Sequence, residues 1–166
     1  MVDDIIRNKG FLALGTRMRR IGERLQADVQ RLIDSHDLPI LSHHYPILFA
    51  IDENGPMEVG QLARALGASQ PGVTRSIGQL SASGCVTISS SASDRRVRRV
   101  ELTEHGQSVM RVGRGVIAPR VLGAFEAVFA AQSSEFLGLL DRLEDALETA
   151  TLSALSEDLD EEKRDE

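Results

Sequence analysis

The stretch VGQLARALGASQPGVTRSIGQL, residues 59–80, decides the fold of this chain. Its apolar residues have helical spacing over roughly residues 58–66, and Gly67 ends that segment as a glycine often does. Ser69 is a good N-cap for a second helix that follows after about three residues. Two short helices joined by a tight turn that contains glycine predict a helix-turn-helix unit.

The second helix, predicted over 69–84, has an apolar face and a polar face. Val73, Ile77 and Leu80 are spaced i, i+4, i+7, which places them on the side that packs inward. On the polar face, glutamine can pair with adenine, arginine with guanine, and threonine with a phosphate or a thymine methyl group. Small residues in the first turn let the backbone approach closely. The residues predicted to contact DNA from this helix are Ser69, Gln70, Pro71, Gly72, Thr74, Arg75 and Gln79.

A β-hairpin is predicted after this helix, and it is rich in arginine. Residues 86–102 contain β-branched segments on either side of a serine-rich turn, which is typical of a hairpin. The chain has a net charge of −6, but residues 60–99 contain six arginines against Asp94 alone. The last ten residues contain seven acidic and two basic side chains. A basic middle therefore predicts double-stranded DNA as a partner despite the acidic average.

The fold class predicted from these patterns is mainly α with a small β-hairpin wing. A winged helix-turn-helix core is flanked by N- and C-terminal dimerisation helices, whose amphipathic pattern requires a partner. One long helix is predicted over the first 35 residues, and Pro119 is expected to break or kink the C-terminal helices. Later helices are predicted to be capped by Ser42, by Thr103 and by Ser133 or Ser134. The predicted domains are 1–40 as the N-terminal dimerisation helix, 41–106 as the DNA-binding domain, 107–155 as the C-terminal dimerisation helices, and 156–166 as an acidic tail.

Several classes of protein do not fit the sequence. One cysteine, Cys85, excludes an internal disulfide framework, and we expect it to be a small buried residue. Acidic residues near the N-terminus and the absence of an uninterrupted apolar run of about 18 residues predict a cytoplasmic protein without a membrane partner. No phosphate-binding loop, metal cluster or nucleophile–base spacing is present, so we expect no enzyme, no cofactor and no metal site.

The segments VGQLARALGASQPGVTRSIGQLSASGCV (59–86) and ASDRRVRRVELTEHG (92–106) resemble the DNA-binding core of the MarR family of bacterial transcription regulators. The resemblance covers 41–106 closely. It implies a homodimer that acts as a repressor or dual regulator and reads a pseudo-palindromic operator. It also implies that the wing enters the minor groove with Asp94 orienting Arg96, while Arg95, Arg98 and Arg99 contact phosphates or are alternates to Arg96.

The resemblance further implies that an effector binds where the dimerisation helices meet the DNA-binding lobe. Residues at that place are Arg20, Arg24, His43, His44 and Tyr45. A small aromatic or phenolic acid fits such a cationic, partly apolar site. A packing role and a zinc site remain open alternatives, although two adjacent histidines on a helix point about 100° apart. The alternative function for the whole chain is a winged-helix protein-interaction module that does not bind DNA.

Overall fold

The computed structural model describes residues 3–90, 98–154 and 156, and it contains eight α-helices and three β-strands in this part of the chain. The helices are α1 (Ile5–Asn8), α2 (Leu14–Asp34), α3 (Tyr45–Asn54), α4 (Val59–Ala65), α5 (Gln70–Ala82), α6 (Glu104–Val112), α7 (Ala118–Phe129) and α8 (Ser133–Thr149). The strands are β1 (Met57–Glu58), β2 (Val86–Ser90) and β3 (Arg98–Leu102). The chain divides into two compact units, Met1–Pro119 and Arg120–Glu166.

The first unit contains the predicted winged helix-turn-helix. The helices α4 and α5 are joined by a short turn in which Gly67 has a φ of 56°, a conformation that suits glycine. The strands form an antiparallel sheet of order β1-β3-β2, with Val86 opposite Leu102 at one end of the hairpin. The two hairpin strands were predicted from the sequence and are confirmed. The two-residue strand β1 was not predicted, because so short a segment has no periodicity of its own.

The core of the first unit is a single apolar cluster beneath the three-stranded sheet and between the helices. Its least exposed members come from α2 to α6 and from the hairpin: Ile33, Leu48, Leu62, Ile77, Leu80, Cys85, Val100 and Met110. Cys85 is fully buried, as predicted. These side chains fix the position of α5, because three of its residues belong to the cluster.

Thr103 is the N-cap of α6, and its side chain accepts a hydrogen bond from the Gly106 amide at 3.0 Å. This N-cap was predicted from the sequence and is confirmed. The Thr103 hydroxyl also donates to the Gly84 carbonyl at 2.6 Å. Gly106 lies against the end of the hairpin, and a Cβ atom built there would overlap the carbonyl oxygen of Cys85. Glycine is therefore required at this close approach of helix and strand.

The structure corrects three local predictions in the flanking helices. The first 35 residues do not form one helix, because Gly10 has a φ of 54° and begins a 3₁₀-helical turn, Gly10–Ala13, that lies between α1 and α2. Ser42 does not cap α3 but begins a 3₁₀-helical turn that precedes it. Ser133 is the first residue of α8, and its hydroxyl donates to the Ala130 carbonyl instead of capping the helix.

Pro119 disturbs its helix, but it does not end it. Residues Gly113–Ile117 form a π-helical turn immediately before α7, and Pro119 is the second residue of α7. A proline has no amide proton to donate to the carbonyl four residues earlier, and its ring clashes with that carbonyl in regular α-helical geometry. A widened turn at this point relieves that conflict.

The second unit consists of most of α7, a 3₁₀-helical turn and α8. Phe125, Phe129 and Phe136 stack in sequence, with ring centroids 6.1 Å and 4.5 Å apart. None of the residues described from 120 onward is buried. The described part of this unit therefore has no closed core of its own.

Candidate nucleic-acid interface

The N-terminus of α5 has the cap that the sequence predicted. The Ser69 hydroxyl accepts a hydrogen bond from the Gly72 amide at 3.3 Å, and Pro71 occupies the first turn, where its missing amide proton costs nothing. A Cβ atom at Gly72 would lie 3.0 Å from the Ser69 oxygen. Glycine therefore keeps the capping serine in place, and the remaining amide groups of the first turn form a positive end suited to a phosphate.

The two faces of α5 are separated by burial. Val73, Ile77 and Leu80 are buried in the core of the first unit, as the spacing predicted. On the other face Gln70, Thr74 and Arg75 are exposed. The apolar residues hold α5 against the lobe, and its polar residues face outward.

The polar side chains of the exposed face differ in the hydrogen bonds and ion pairs that they form within the protein. The Thr74 hydroxyl donates to the Gln70 carbonyl at 2.8 Å, within the same helix. Within the described part of the chain, no carboxylate forms an ion pair with Arg75. Arg75 can therefore turn its guanidinium group to a base edge or a phosphate without first breaking an ion pair.

Gln79 belongs to the same exposed face, but its carboxamide has a partner in the protein. Its Oε1 atom lies 3.0 Å from Nε2 of His44. Gln79 itself is exposed, whereas His44 is only 3% exposed. The sequence did not reveal this contact, because the two residues are 35 positions apart and neither belongs to a recognisable pair motif.

The environment of His44 favours its neutral form. Its Nδ1 atom accepts a hydrogen bond from the Leu41 amide at 3.2 Å, so the ring proton must be on Nε2, which then donates to Gln79. Burial lowers the pKa of His44 below its ordinary value; the bond to Gln79 acts in the opposite direction, and the neighbouring His43 lowers the pKa further. His44 is thus a neutral donor in a defined tautomer.

The hairpin presents two of the predicted wing arginines. Arg98 and Arg99 are both exposed on β3, and as consecutive strand residues they point to opposite faces of the sheet. The Arg99 Nε atom donates to the Pro56 carbonyl at 3.3 Å. The remaining predicted wing residues, Asp94, Arg95 and Arg96, lie outside the described residues.

The predicted effector residues are not all brought together. Arg20 pairs with Asp4 at 2.9 Å and lowers the pKa of that carboxyl group. Arg24 is exposed on α2. The residue of α2 that reaches the turn before α3 is Gln30, whose Oε1 accepts from the Ser42 amide at 2.7 Å. At a rise of about 1.5 Å per residue, Arg24 is roughly 9 Å further along the helix axis from Gln30.

His43, His44 and Tyr45 lie in very different surroundings although they are consecutive. His43 is exposed, and its ring meets that of buried His44 edge to face at 4.3 Å. The Tyr45 ring packs against Gly113, where a Cβ atom would come within 2.8 Å of it. Burial raises the pKa of Tyr45, and its buried hydroxyl has no hydrogen-bond partner in the described part of the protein. Within that part, no group of three potential metal ligands occurs.

An exposed polar face on the second helix of a helix-turn-helix, followed by an arginine-bearing hairpin, defines the winged helix-turn-helix class. The family model of the MarR family matches residues 36–97, which include α3 to α5 and the first hairpin strand. Over these residues the chain matches the MarR family of transcriptional regulators, and its winged helix-turn-helix fold agrees with that match.

Solved structures of similar fold include three regulators. BpsR of Bordetella bronchiseptica, studied for regulation of its DNA binding by 6-hydroxynicotinic acid, has a TM-score of 0.68 and 22% identity over 79% of this chain and 98% of that one. PcaV of Streptomyces coelicolor, solved with its natural ligand, has a TM-score of 0.70 and 19% identity over 89% and 99%. Reduced AbfR bound to DNA has a TM-score of 0.71 and 18% identity over 89% and 98%.

Proposed function

We propose that this regulator is a sequence-specific repressor, or a dual regulator, that binds double-stranded DNA as a homodimer. The observation that carries the proposal is the exposed polar face of α5 with Arg75 free of ion pairs in the described part of the chain. A recognition helix of this kind enters the major groove with its N-terminal residues toward the bases. DNA binding of BpsR and AbfR supports the same role.

Each residue of the interface has a proposed role. Ser69, Pro71 and Gly72 bring the start of α5 close to a phosphate. Gln70 and Arg75 read bases, and Thr74 contacts a phosphate or a thymine methyl group. In the wing, Asp94 orients Arg96 for the minor groove, and Arg95, Arg98 and Arg99 contact phosphates.

A second copy of the chain is the proposed partner of the flanking helices. In the first unit, Phe11 and Leu12 are 90% and 93% exposed. In the second unit, Leu122 and Val128 are 68% and 74% exposed, and no described residue is buried. Apolar surface of this kind marks an interaction site in a soluble protein. A two-fold dimer would place two copies of α5 on the two halves of a pseudo-palindromic operator.

A small aromatic or phenolic acid is the proposed effector. The buried Tyr45 hydroxyl without a partner among the described residues is a donor that a carboxylate could satisfy. His43 is exposed next to it in sequence, while Arg20 and Arg24 would have to approach from α2. Regulation of BpsR by 6-hydroxynicotinic acid supports an effector of this size.

We also propose that the protein acts in the cytoplasm and without a membrane partner. Among the described residues one helical run, Glu104–Thr149, is long and apolar enough by length and composition alone to cross a membrane. Charged residues such as Arg114, Arg120 and Glu126 recur along it. A membrane span needs about 20 consecutive, predominantly apolar residues, so contact with another protein helix explains the composition better.

Fluorescence anisotropy on labelled DNA from upstream of the gene that encodes this chain tests the proposal. A scrambled duplex of the same composition is the control, and both are titrated at several salt concentrations. We expect the upstream duplex to bind at least a hundredfold more tightly, within reach of the roughly 10³–10⁷-fold range of specific regulators. Absence of binding to either duplex at low salt would overturn DNA binding and favour the interaction-module function.

A further inference from the structure

The contact between His44 and Gln79 joins a buried residue of the lobe to the exposed face of the recognition helix. Gln79 is one turn beyond Arg75 on α5, and its Oε1 atom is directed to the His44 Nε2 atom at 3.0 Å. A carboxamide is planar, so the position of its oxygen also fixes the position of its NH2 group. With the oxygen turned to the buried imidazole, the exposed part of Gln79 presents N–H donors.

The turn that carries His44 is itself held on its other side by α2. The Gln30 carboxamide accepts from the Ser42 amide at 2.7 Å and donates to the Ile40 carbonyl at 3.3 Å. It also donates to the Asp34 carboxylate at 2.8 Å, which fixes its orientation. A continuous series of hydrogen bonds therefore leads from α2 through residues 40–44 to α5.

We propose that His44 is a positioning residue for DNA recognition, which acts through Gln79 and holds its carboxamide as an outward-facing donor. The proposal rests on the DNA-binding function proposed above. A bidentate contact with adenine needs both the oxygen and the nitrogen of a glutamine side chain. Because His44 holds the oxygen, Gln79 contacts an acceptor, such as a phosphate oxygen or the O6 or N7 atom of guanine, and does not make the bidentate contact with adenine.

Only the neutral imidazole makes both bonds that hold it between the Leu41 amide and Gln79. A proton on Nδ1 would face the Leu41 amide, which is itself a donor, so protonation removes the acceptor that orients the ring. Of the groups around His44, His43 on its own turn acts on the ring by charge and opposes protonation. From α2 the nearest carboxylate in the hydrogen-bond series is Asp34, which binds Gln30, and from α5 the ring meets the uncharged Gln79.

Two substitutions at His44 separate its two bonds. The side-chain oxygen of asparagine can replace Nδ1 as the acceptor from the Leu41 amide, so His44→Asn retains the local turn. The shorter side chain does not reach Gln79, and the link to α5 is removed. Gln79→Met removes the same link from the exposed side, where folding is at little risk. His105→Asn changes an exposed histidine of α6 and is the matched control.

Operator binding of the wild type, the single variants and the His44→Asn/Gln79→Met double variant is measured by anisotropy at a pH where histidine is neutral. We expect each single variant to bind the operator about fivefold more weakly, the worth of one hydrogen bond. The double variant should be no weaker than Gln79→Met alone, because His44 acts through Gln79. His105→Asn should bind like the wild type.

The wild-type protein provides a further readout. The ¹⁵N chemical shifts of its histidines should show one ring in the Nε2–H tautomer at neutral pH.

Wild-type binding with unchanged affinity in His44→Asn and Gln79→Met, or additive losses in the double variant, would overturn the positioning role while leaving DNA binding intact. An Nδ1–H tautomer for His44 would also overturn it, even if His44→Asn did not fold. Failure of the wild type to bind any DNA would instead overturn the proposed function.

Discussion

The helices α5 and α8 have the same apolar periodicity, yet they end in opposite environments. In α5, Val73, Ile77 and Leu80 are 3%, 2% and 0% exposed. In α8, Leu139 and Leu147 are 54% and 49% exposed. Periodicity in a sequence predicts that a helix has an apolar face, but it does not show what covers that face. The first unit covers the apolar face of α5, whereas the described part of the second leaves that of α8 exposed.

The largest expected effect concerns the closely packed first unit, which contains α5. Gly106→Ala places a methyl group on the Cys85 carbonyl, and backbone cannot move aside as a flexible side chain can. We expect the free energy of unfolding to fall by about 3 kcal/mol, measured by urea denaturation. Gly78→Ala is the control, because no atom lies within 4 Å of its added Cβ and alanine favours an exposed helix. Equal stability of the two variants would mean that α6 does not approach the hairpin so closely.

The next largest effect concerns the exposed apolar face of α8. Leu139→Glu adds a charge to an exposed apolar face, which in a monomer changes stability by no more than about 0.5 kcal/mol. If a second copy covers α8, the glutamate is buried without a partner, and we expect the dimer dissociation constant to rise at least about a hundredfold. Analytical ultracentrifugation measures this change. A wild-type monomer at micromolar concentration, with or without DNA, would contradict the proposed dimer.

The fold of the lobe could be predicted from the sequence largely because its signals are local. The Ser69 and Thr103 caps, the glycine stop at Gly67 and the alternating hairpin strands all depend on neighbouring residues. The break at Gly10 was missed because the apolar pattern of α2 was extended back to the N-terminus, and a single glycine does not by itself predict a break. The π-helical turn before Pro119 was predicted only as a disturbance, since a proline can be accommodated by a break, a kink or a widened turn.

The candidate site was predictable in its composition, but its internal contacts were not. The exposure of Gln70, Thr74 and Arg75 follows from the helical period, which needs only local information. The His44–Gln79 bond requires the packing of α3 and the turn before it against α5, which no local pattern encodes. The same reason separates Arg20 from the effector residues: its partner, Asp4, comes from a segment whose backbone the sequence did not predict.

A smaller effect distinguishes the polar face of α5 from the wing. Arg75→Ala should weaken operator binding by about 1–3 kcal/mol and relax base preference, because the side chain reads a base. Arg96→Ala should weaken binding to all sequences and reduce the salt dependence by about one counterion, because its charge enters the narrow, negative minor groove. Arg111→Ala removes the same charge from α6 and serves as the control in anisotropy titrations. Wild-type affinity and base preference in both interface variants would show that α5 and the wing are not the DNA-binding surface.

The smallest expected effect is the pH dependence of protein stability that the buried His44 side chain causes. Burial lowers the pKa of His44 in the folded protein, so the unfolded chain binds a proton there at a higher pH than the folded chain does. The stabilisation is fully present above the ordinary histidine pKa of about 6.5 and is lost as the pH falls through the lowered pKa. The slope from one such group is at most about 1.4 kcal/mol per pH unit. Urea denaturation between about pH 5 and 7.5 should therefore show a steeper loss of stability in the wild type than in His44→Asn, with His105→Asn following the wild type. Parallel curves for the wild type and His44→Asn would mean that the ring is not held neutral by its buried position.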